Sequence, residues 1–130
     1  MSAGVLLITH EGLGHALVAV ATRLLNKLPL PCEAFEVPFE GDPAALLPLA
    51  SAALRRVDQG HGVLILTDLY GATPSNLAAK LARLGTPVRR VSAVSLPMLI
   101  RVMNYAELEL DALPAVAAAG SRNGAITDDI

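Results

Sequence analysis

The sequence is short of several features, and each shortage narrows what the protein can be. Cys32 is its only cysteine, so we expect no internal disulfide, no thiolate metal cluster and no oxidising compartment. No apolar run approaches the roughly 18 residues of a membrane span. The N-terminus leads straight into an apolar strand, without the charged region and apolar core of a signal peptide. We therefore expect a cytoplasmic protein without direct membrane insertion.

Charge is also scarce, whereas apolar residues are abundant. The formal net charge is -2 and there is no basic run, so the chain lacks the charge pattern needed to bind a nucleic-acid backbone. Hydrophobic residues make up 53% of the 130 positions, which is ample for a core. The length is close to the rough prior of ~150 residues for one domain, so we expect residues 1–130 to form a single domain.

Apolar patterning predicts strands that alternate with helices. Residues 4–9 (GVLLIT) and 62–67 (GVLILT) are continuous aliphatic runs, typical of strands covered on both faces. Residues 33–37 and 88–94 have the composition of further strands. Apolar spacing, Asp-Pro and Thr-Pro starts and glycine stops predict helices over 13–28, 43–59, 73–85, from Pro97 onward and from an Asp111 cap to Gly120.

These elements predict an α/β, doubly wound fold. Four mainly parallel strands in the spatial order 2-1-3-4 have helices on both faces, because the crossovers are right-handed. A short C-terminal strand around Ala125 and Ile126 adds to a sheet edge, either in this chain or in a second subunit. Ligands of such sheets bind beyond the carboxyl ends of the strands, so the residues that follow each strand are the most informative.

Two chemically matched side chains follow the two central strands. His10 comes directly after the first strand and Asp68 directly after the third, so we expect them at the same edge of the sheet. A carboxylate that holds one imidazole nitrogen fixes the tautomer and leaves the other nitrogen as a nucleophile. The alternative interpretation of His10 is a solvated loop residue, but the matched aspartate favours the pair.

The segment after Asp68 predicts an anion-binding loop. Gly71 permits close backbone approach, Thr73 offers a hydroxyl and the helix cap, and Ser75 and Asn76 contribute donors from the first helical turn. A phosphoryl group on His10 would find favourable dipoles there. The alternative is an ordinary capped helix with no ligand.

Other motifs carry weaker signals. His61 precedes the third strand, at the opposite end of the sheet, and His15 lies in the first turn of a helix. A zinc site has only Glu11 and Asp68 as further ligands. The Gly12-Leu13-Gly14 run resembles a dinucleotide fingerprint, but Leu17 stands where that motif requires Gly or Ala. An aspartyl phosphoacceptor at Asp68 would need an acidic pair after the first strand, where Thr9 and His10 stand instead.

Three segments at strand exits together resemble the enzyme IIA domain of the mannose-type phosphotransferase system. They are Ile8-Thr9-His10, Asp68-Leu69-Tyr70-Gly71-Ala72-Thr73-Pro74-Ser75-Asn76 and Leu96-Pro97-Met98-Leu99. The resemblance covers residues 4–126. It implies that His10 accepts a phosphoryl group on Nε2 from the phosphocarrier HPr, that Asp68 holds Nδ1, and that the group passes to a IIB domain. It also implies a homodimer in which a C-terminal strand crosses to the partner. No cofactor is expected.

The loop after Asp68 departs from that family's usual Gly-Gly-Ser-Pro-Phe-Asn pattern. Ala72 replaces a glycine and limits backbone freedom, and Ser75 replaces a large apolar contact. We nevertheless expect Gly71, Ala72, Thr73 and Ser75 to steady the phosphoryl group. Ser95 stands where asparagine is common in the family.

Three apolar residues are candidates for the surface that docks partner proteins. Leu13, Leu96 and Met98 would surround His10, although each is equally compatible with the core. Two other functions remain open for the chain as a whole. One is a regulatory module whose phosphorylation at His10 controls binding to a target protein. The other is a small hydrolase with a His-Asp pair, which lacks an evident serine nucleophile or second acid.

Overall fold

A parallel sheet of four strands forms the centre of the molecule. The computed structural model describes residues 2–128. The strands are β1 (Gly4–His10), β2 (Cys32–Val37), β3 (Val63–Thr67) and β4 (Val88–Val91). Their order in the sheet is β2-β1-β3-β4 and all neighbouring strands are parallel, which confirms the predicted topology.

Five α-helices cover the two faces of the sheet. They are α1 (Gly14–Leu25), α2 (Leu46–Val57), α3 (Thr73–Leu81), α4 (Leu96–Asn104) and α5 (Leu113–Gly124). Short 3-10 turns at Pro43–Ala45 and Leu110–Ala112 precede α2 and α5. Helices α1, α4 and α5 pack on one face, and α2 and α3 pack on the other. None of the helices in residues 2–128 is long and apolar enough to cross a membrane.

The central strands carry apolar side chains on both faces because both faces are covered. In β1, Val5 and Leu7 pack into the layer of α1, α4 and α5, whereas Leu6 and Ile8 pack into the layer of α2 and α3. All four side chains are inaccessible to solvent. Alternate residues of a strand point to opposite faces, so a strand between two helical layers is apolar throughout. The continuous aliphatic runs are therefore strands covered on both faces, as predicted.

Two predicted element boundaries are wrong for local reasons. The strand predicted over 88–94 ends at Val91, because Ala93 adopts a left-handed conformation with φ of +63° that interrupts the regular pairing; only the Val94 N–H donates again to β3, at the Thr67 carbonyl 2.9 Å away. Asp111 does not cap the last helix. It lies inside the 3-10 turn, and its carboxylate accepts a hydrogen bond from Arg89 Nε at 3.0 Å.

The C-terminal end also differs from the prediction within one chain. Helix α5 continues to Gly124, beyond the predicted end at Gly120, and residues 125–128 form no strand in this chain. The predicted strand at Ala125 and Ile126 is therefore absent from the sheet that the structure describes. Its exchange with a second subunit stays a prediction.

Candidate functional site

The candidate site lies at the carboxyl edge of the sheet, where β1 and β3 end side by side. Ile8 of β1 pairs with Thr67 of β3, so the residues that follow this pair, His10 and Asp68, leave the sheet next to each other. On the other side, His10 pairs with Val37 at the end of β2. Three strand ends thus converge around one imidazole.

A single carboxylate oxygen of Asp68 binds His10 in two ways. Asp68 Oδ2 lies 2.7 Å from His10 Nδ1 and accepts a hydrogen bond from the His10 backbone N–H at 2.8 Å. The other oxygen, Oδ1, accepts a hydrogen bond from the Leu69 backbone N–H at 2.9 Å. The carboxylate is therefore fixed at both oxygens, and the predicted contact between His10 and Asp68 is present.

The ionised form of Asp68 is favoured by these donors. Burial by itself raises the pKa of Asp68, but hydrogen bonds from the backbone and ring of His10, with the backbone N–H of Leu69, outweigh it. The net result is a pKa below the ordinary value of 3.8. An ionised carboxylate accepts hydrogen bonds only, so the contact assigns a proton to Nδ1 of His10, and in the neutral imidazole Nε2 is then the nitrogen with the lone pair.

The imidazole is accessible while the carboxylate behind it is largely covered. The exposed fraction of the side chain is 27% for His10 and 10% for Asp68. A reacting group can thus approach the ring from solvent without contacting the aspartate. The arrangement is suited to nucleophilic attack by Nε2, with the charge on the ring balanced from the protected side.

The turn that follows β1 is held in place by Thr9 and Gly14. Thr9 Oγ1 donates to the His10 carbonyl at 2.8 Å and accepts from the Gly14 N–H at 2.9 Å. A Cβ atom at Gly14 would lie 3.0 Å from both Thr9 Oγ1 and Ala34 Cβ, which is too close for an ordinary contact. Helix α1 can begin this near the sheet because residue 14 is glycine.

Glu36 of β2 supports the same turn, and the sequence analysis missed it. Its two carboxylate oxygens accept hydrogen bonds from the backbone N–H groups of Gly12, at 3.1 Å, and His15, at 2.9 Å. The bond from His15 and then that from Gly12 lower the pKa of Glu36. The backbone of His15 is thus structural, while its side chain is exposed.

Phe39 is a second residue of the site that the sequence analysis missed. Its ring stacks on the His10 imidazole, with centroids 5.4 Å apart and planes inclined by 21°. The Phe39 N–H donates to Glu11 Oε1 at 2.9 Å, which ties the loop after β2 to the loop after β1. The predicted strand order could have indicated this contact, because the order 2-1-3-4 brings the end of β2 beside His10.

The predicted anion-binding loop begins three residues after Asp68. Gly71 has φ of +86°, a conformation that glycine adopts without strain. Ala72, not Thr73, is the N-cap of α3, and no side chain caps the helix; Thr73 is the first helical residue. The prediction that Thr73 caps α3 is therefore wrong. Pro74 has no N–H, so Thr73 and Ser75 carry the free backbone donors of the first turn.

The structure locates Thr73 and Ser75 in different depressions. Thr73 lines a depression together with Phe39, which is the residue stacked on His10. The Ser75 side chain is buried and lines a separate cleft between α3 and β4, whose wall includes Thr67 but not His10. At Ser75, only the backbone N–H is left as a candidate for contact with a group on His10.

Comparisons with known proteins identify the family of this chain. The sequence model of a family described as EIIA-man, PTS system fructose IIA component, matches residues 4–119. The chain belongs to this IIA family of the phosphotransferase system. It is also 30% identical over 118 residues to the transcriptional regulatory protein LevR of Bacillus subtilis (strain 168), a match over 85% of this chain. The chain spans only 12% of the length of that relative.

Solved structures of similar fold extend over nearly the whole chain. The mannose/sorbose-specific IIA subunit of Enterococcus faecalis superimposes with a TM-score of 0.85 at 23% identity, covering 100% of this chain and 97% of that one. A sigma-54 interaction domain protein from Enterococcus faecalis gives a TM-score of 0.78 at 14% identity, covering 95% and 93%. At these identities the structures establish the shared fold. IIA proteins are components of a phosphotransferase system, so membership of this family indicates a general role in group transfer.

The three candidate docking residues of this IIA-family chain differ in accessibility. Leu13 is exposed, three residues after His10. Leu96 packs partly against the core and lines a groove with Leu24 and Tyr105. Met98 is 1% exposed and belongs to the core under α4, so its assignment to a docking surface is wrong. Met98 is buried because it lies with Leu99, Val102 and Met103 on the face of α4 that packs on the core.

The remaining titratable candidates lie outside the site of this IIA-family chain. His61 lines a depression with Ala3 and Pro87, at the end of the sheet where the strands begin. Burial, and secondarily the charge of Glu33, raises the pKa of the Cys32 thiol from 9.0 to about 12. This thiol therefore behaves as a small apolar group. Among residues 2–128, no three His, Cys, Asp or Glu side chains are grouped closely enough to hold a metal ion.

Proposed function

We propose that this chain is a phosphoryl carrier of a phosphotransferase system, in which His10 accepts a phosphoryl group from phospho-HPr and passes it to a IIB component. The observation that carries the proposal is the 2.7 Å contact between His10 Nδ1 and Asp68 Oδ2. In this contact Nδ1 is the hydrogen-bond donor. Nε2 is therefore the ring nitrogen that is available as a nucleophile. The IIA family model supports the same assignment.

The transfer requires no change in the number of bonds to phosphorus. The Nε2 lone pair of His10 forms a new N–P bond in line with the N–P bond of the donor phosphohistidine, which breaks and returns its electron pair to the donor ring. The His10 ring, protonated at Nδ1, becomes positively charged as the bond forms. Asp68 stabilises that charge, and its fixed position avoids reorganisation during transfer. Passage to the acceptor is the same reaction in reverse.

The loop before α3 supports the transferred group in this proposal. The free N–H groups of Thr73 and Ser75 lie at the positive end of the α3 dipole, where an anion is favoured. Gly71 and Ala72 contribute backbone, and the Thr73 side chain contributes an exposed hydroxyl. Leu13 and Leu96 remain the proposed apolar contacts with partner proteins.

The phosphorylation state of intact protein tests this proposal. The chain is mixed with phosphoenolpyruvate, enzyme I and HPr, and its mass is followed. We expect an acid-labile increase of one phosphoryl group that requires HPr and is lost in His10→Ala. His15→Ala and His61→Ala are matched controls, because their side chains are exposed and lie outside the His10–Asp68 pair, and both should be phosphorylated normally. Phosphorylation of His10→Ala would contradict the site.

A regulatory function is the second candidate, favoured by the relative LevR, which is named a transcriptional regulatory protein. In this case the phosphoryl group on His10 controls binding to a target protein. A chase distinguishes the two functions. Rapid loss of the group to a IIB component supports carriage. Retention of the group in the presence of IIB, together with a changed affinity for a target protein, supports regulation.

The homodimer stays part of the proposal. In it, residues around Ala125 and Ile126 would pair with a sheet edge of the second subunit. The open edge of β4 is available for such pairing within the described chain. Sedimentation of the full chain and of a variant ending at residue 124 tests it, and loss of the dimer on truncation is the expected result. An unchanged dimer would contradict the exchange.

A further inference from the structure

A polar cleft lies between the first half of α3 and the edge strand β4. It has a volume of about 340 Å³, within the approximate range of 300–1,000 Å³ for small-molecule sites. Its polar lining residues are Thr67, Tyr70, Ser75, Arg89, Arg90 and Ser92. His10 and Asp68 are not part of its wall. The cleft is therefore distinct from the site where phosphoryl transfer is proposed.

Two nearly buried hydroxyl groups face this cleft without a partner. Thr67 is 3% exposed and Ser75 is 8% exposed. Neither hydroxyl is hydrogen-bonded to another residue between Ser2 and Asp128. Among these residues, every side-chain nitrogen or oxygen that is fully inaccessible to solvent has a hydrogen-bond partner. The Thr67 and Ser75 hydroxyl oxygens have none, so they are not fully enclosed, and they are accessible from the cleft that both residues line. Buried hydroxyl groups normally have a hydrogen-bond partner, and here that partner has to come from outside the chain.

The cleft also has a cation that is not neutralised by the rest of the described chain. Arg89 Nη2 lies 2.8 Å from Asp111 Oδ1, so the Arg89 guanidinium is paired on the face of α5. Alternate residues of a strand face opposite sides, so Arg90 is on the other face, with Val88, which packs in the layer of α2 and α3. No carboxylate in residues 2–128 lies within 4.0 Å of Arg90 in an ion pair.

We propose that this cleft binds a small phosphate monoester that carries hydroxyl groups. The Arg90 guanidinium presents a planar set of donors that matches two phosphate oxygens. A phosphate has three terminal oxygens and accepts more hydrogen bonds than a carboxylate, which suits a cleft with several hydroxyl donors beside one cation. The hydroxyls of Thr67, Ser75 and Tyr70 both donate and accept, so they also match the hydroxyl groups of the ligand.

The residue at position 75 opens the cleft. Ser75 has a small side chain that leaves the space beside Thr67 unfilled. Ala78 and Ala82, one and two turns further along α3, also line the cleft with small side chains. The site is thus a consequence of this chain's own residues.

Titration of the full chain with glycerol 3-phosphate tests the proposal. We expect saturable changes in the amide NMR signals of Thr67, Ser75 and Ser92, and no such changes with glycerol. Inorganic phosphate should bind more weakly than the ester, because it lacks the hydroxyl contacts. Absence of saturable change up to about 10 mM glycerol 3-phosphate would overturn the proposal. Equal affinity for inorganic phosphate would show that the hydroxyl groups of the ligand do not contribute, and would overturn that part of the proposal.

Two adjacent arginines supply a matched pair of variants. Arg90→Ala should weaken binding at least about tenfold, since it removes the charged hydrogen-bond donor of the cleft. Arg89 also lines the cleft, but its guanidinium is paired with Asp111, so Arg89→Ala should leave the affinity within about twofold. Equal losses in the two variants would show a general charge effect and overturn the site.

Filling the cleft is an independent test. Ala82 lines the cleft at the far end of α3, away from the loop that supports the phosphoryl group. Ala82→Phe should abolish binding while HPr-dependent phosphorylation of His10 is retained, so failure here is distinguishable from failure of the proposed carrier function. Binding that survives Ala82→Phe would contradict the proposed location. The cleft could instead be covered by a second copy of the chain. In that case the Thr67 and Ser75 signals would shift on dilution and would not respond to glycerol 3-phosphate, which would also overturn the proposal.

Discussion

Phe39 and His10 form a stacked pair, with ring centroids 5.4 Å apart and planes inclined by 21°. The imidazole is thus restrained from two directions, by Asp68 at Nδ1 and by the Phe39 ring on one face. Because Phe39 is mostly exposed, its ring also forms part of the accessible surface around His10. One residue therefore both orients the imidazole and borders its exposed face.

Removal of this stacking should slow phosphoryl transfer. Stacked aromatic pairs contribute about 0.5–1.5 kcal/mol beyond their buried area, so Phe39→Ala should reduce the rate of phosphorylation by phospho-HPr about two- to tenfold. Stopped reactions analysed by mass spectrometry give the rate. Leu49→Ala is a control, since Leu49 is an exposed residue of α2. A wild-type or faster rate in Phe39→Ala would mean that stacking does not assist the reaction.

Replacement of the carboxylate should affect chemistry more than folding. Asp68→Asn keeps the shape of the side chain but loses the charge that stabilises the protonated ring, so the transfer rate should fall about ten- to a hundredfold. Circular dichroism should show an unchanged fold. An Asp68→Asn protein that reacts at the wild-type rate would remove Asp68 from the mechanism.

The lowered pKa of Asp68 predicts how stability depends on pH. Because the pKa is lower in the folded chain than the ordinary value of 3.8, the unfolded chain binds more protons as pH falls below that value. The contribution of Asp68 to stability is therefore present above pH 3.8 and is lost as pH falls through the folded-state pKa. Asp68→Asn lacks this contribution.

Urea unfolding of both proteins from neutral to acid pH measures the effect. The difference in unfolding free energy between wild type and Asp68→Asn should be constant near neutral pH and shrink below pH 3.8. A difference that stays constant across the whole range would show that the Asp68 pKa is the same in both states.

Met98 and Leu13 should respond in opposite ways to truncation. Met98→Ala leaves a cavity in the core and should lower the free energy of unfolding by about 2–5 kcal/mol. Leu13→Ala, at an exposed position, should change it by less than about 0.5 kcal/mol and raise the HPr concentration needed for half-maximal phosphorylation. Leu84→Ala is the control, because Leu84 is an exposed leucine in the turn after α3. Equal HPr dependence in Leu13→Ala and wild type would exclude Leu13 from docking.

Much of the fold was predictable because its central strands have an unambiguous pattern. The runs that became β1 and β3 are aliphatic on both faces, are short and begin after glycine, a pattern typical of a strand between two helical layers. Their ends then located His10 and Asp68 at one edge. The end of β4 was not predictable, since Val94 continues the apolar pattern and nothing in an alanine signals the left-handed conformation of Ala93.

The site was less completely predictable. Phe39 lies in an irregular loop between Pro38 and Gly41, where no periodic signal marks a residue as functional, and its contact with His10 depends on three-dimensional proximity. The burial of Met98, by contrast, could have been predicted from the sequence. Positions 98, 99, 102 and 103 repeat at the spacing of one helix face, and all four are buried in α4.

The nitrogen of His10 that carries the phosphoryl group tests the central claim most directly. The chain, labelled with ¹⁵N in its histidines, is phosphorylated through HPr, and the two ring nitrogens are identified from their couplings to the ring protons and to ³¹P. The account predicts phosphorus on Nε2 and a proton retained on Nδ1, next to Asp68. Phosphorus on Nδ1, or on a histidine other than His10, would contradict it.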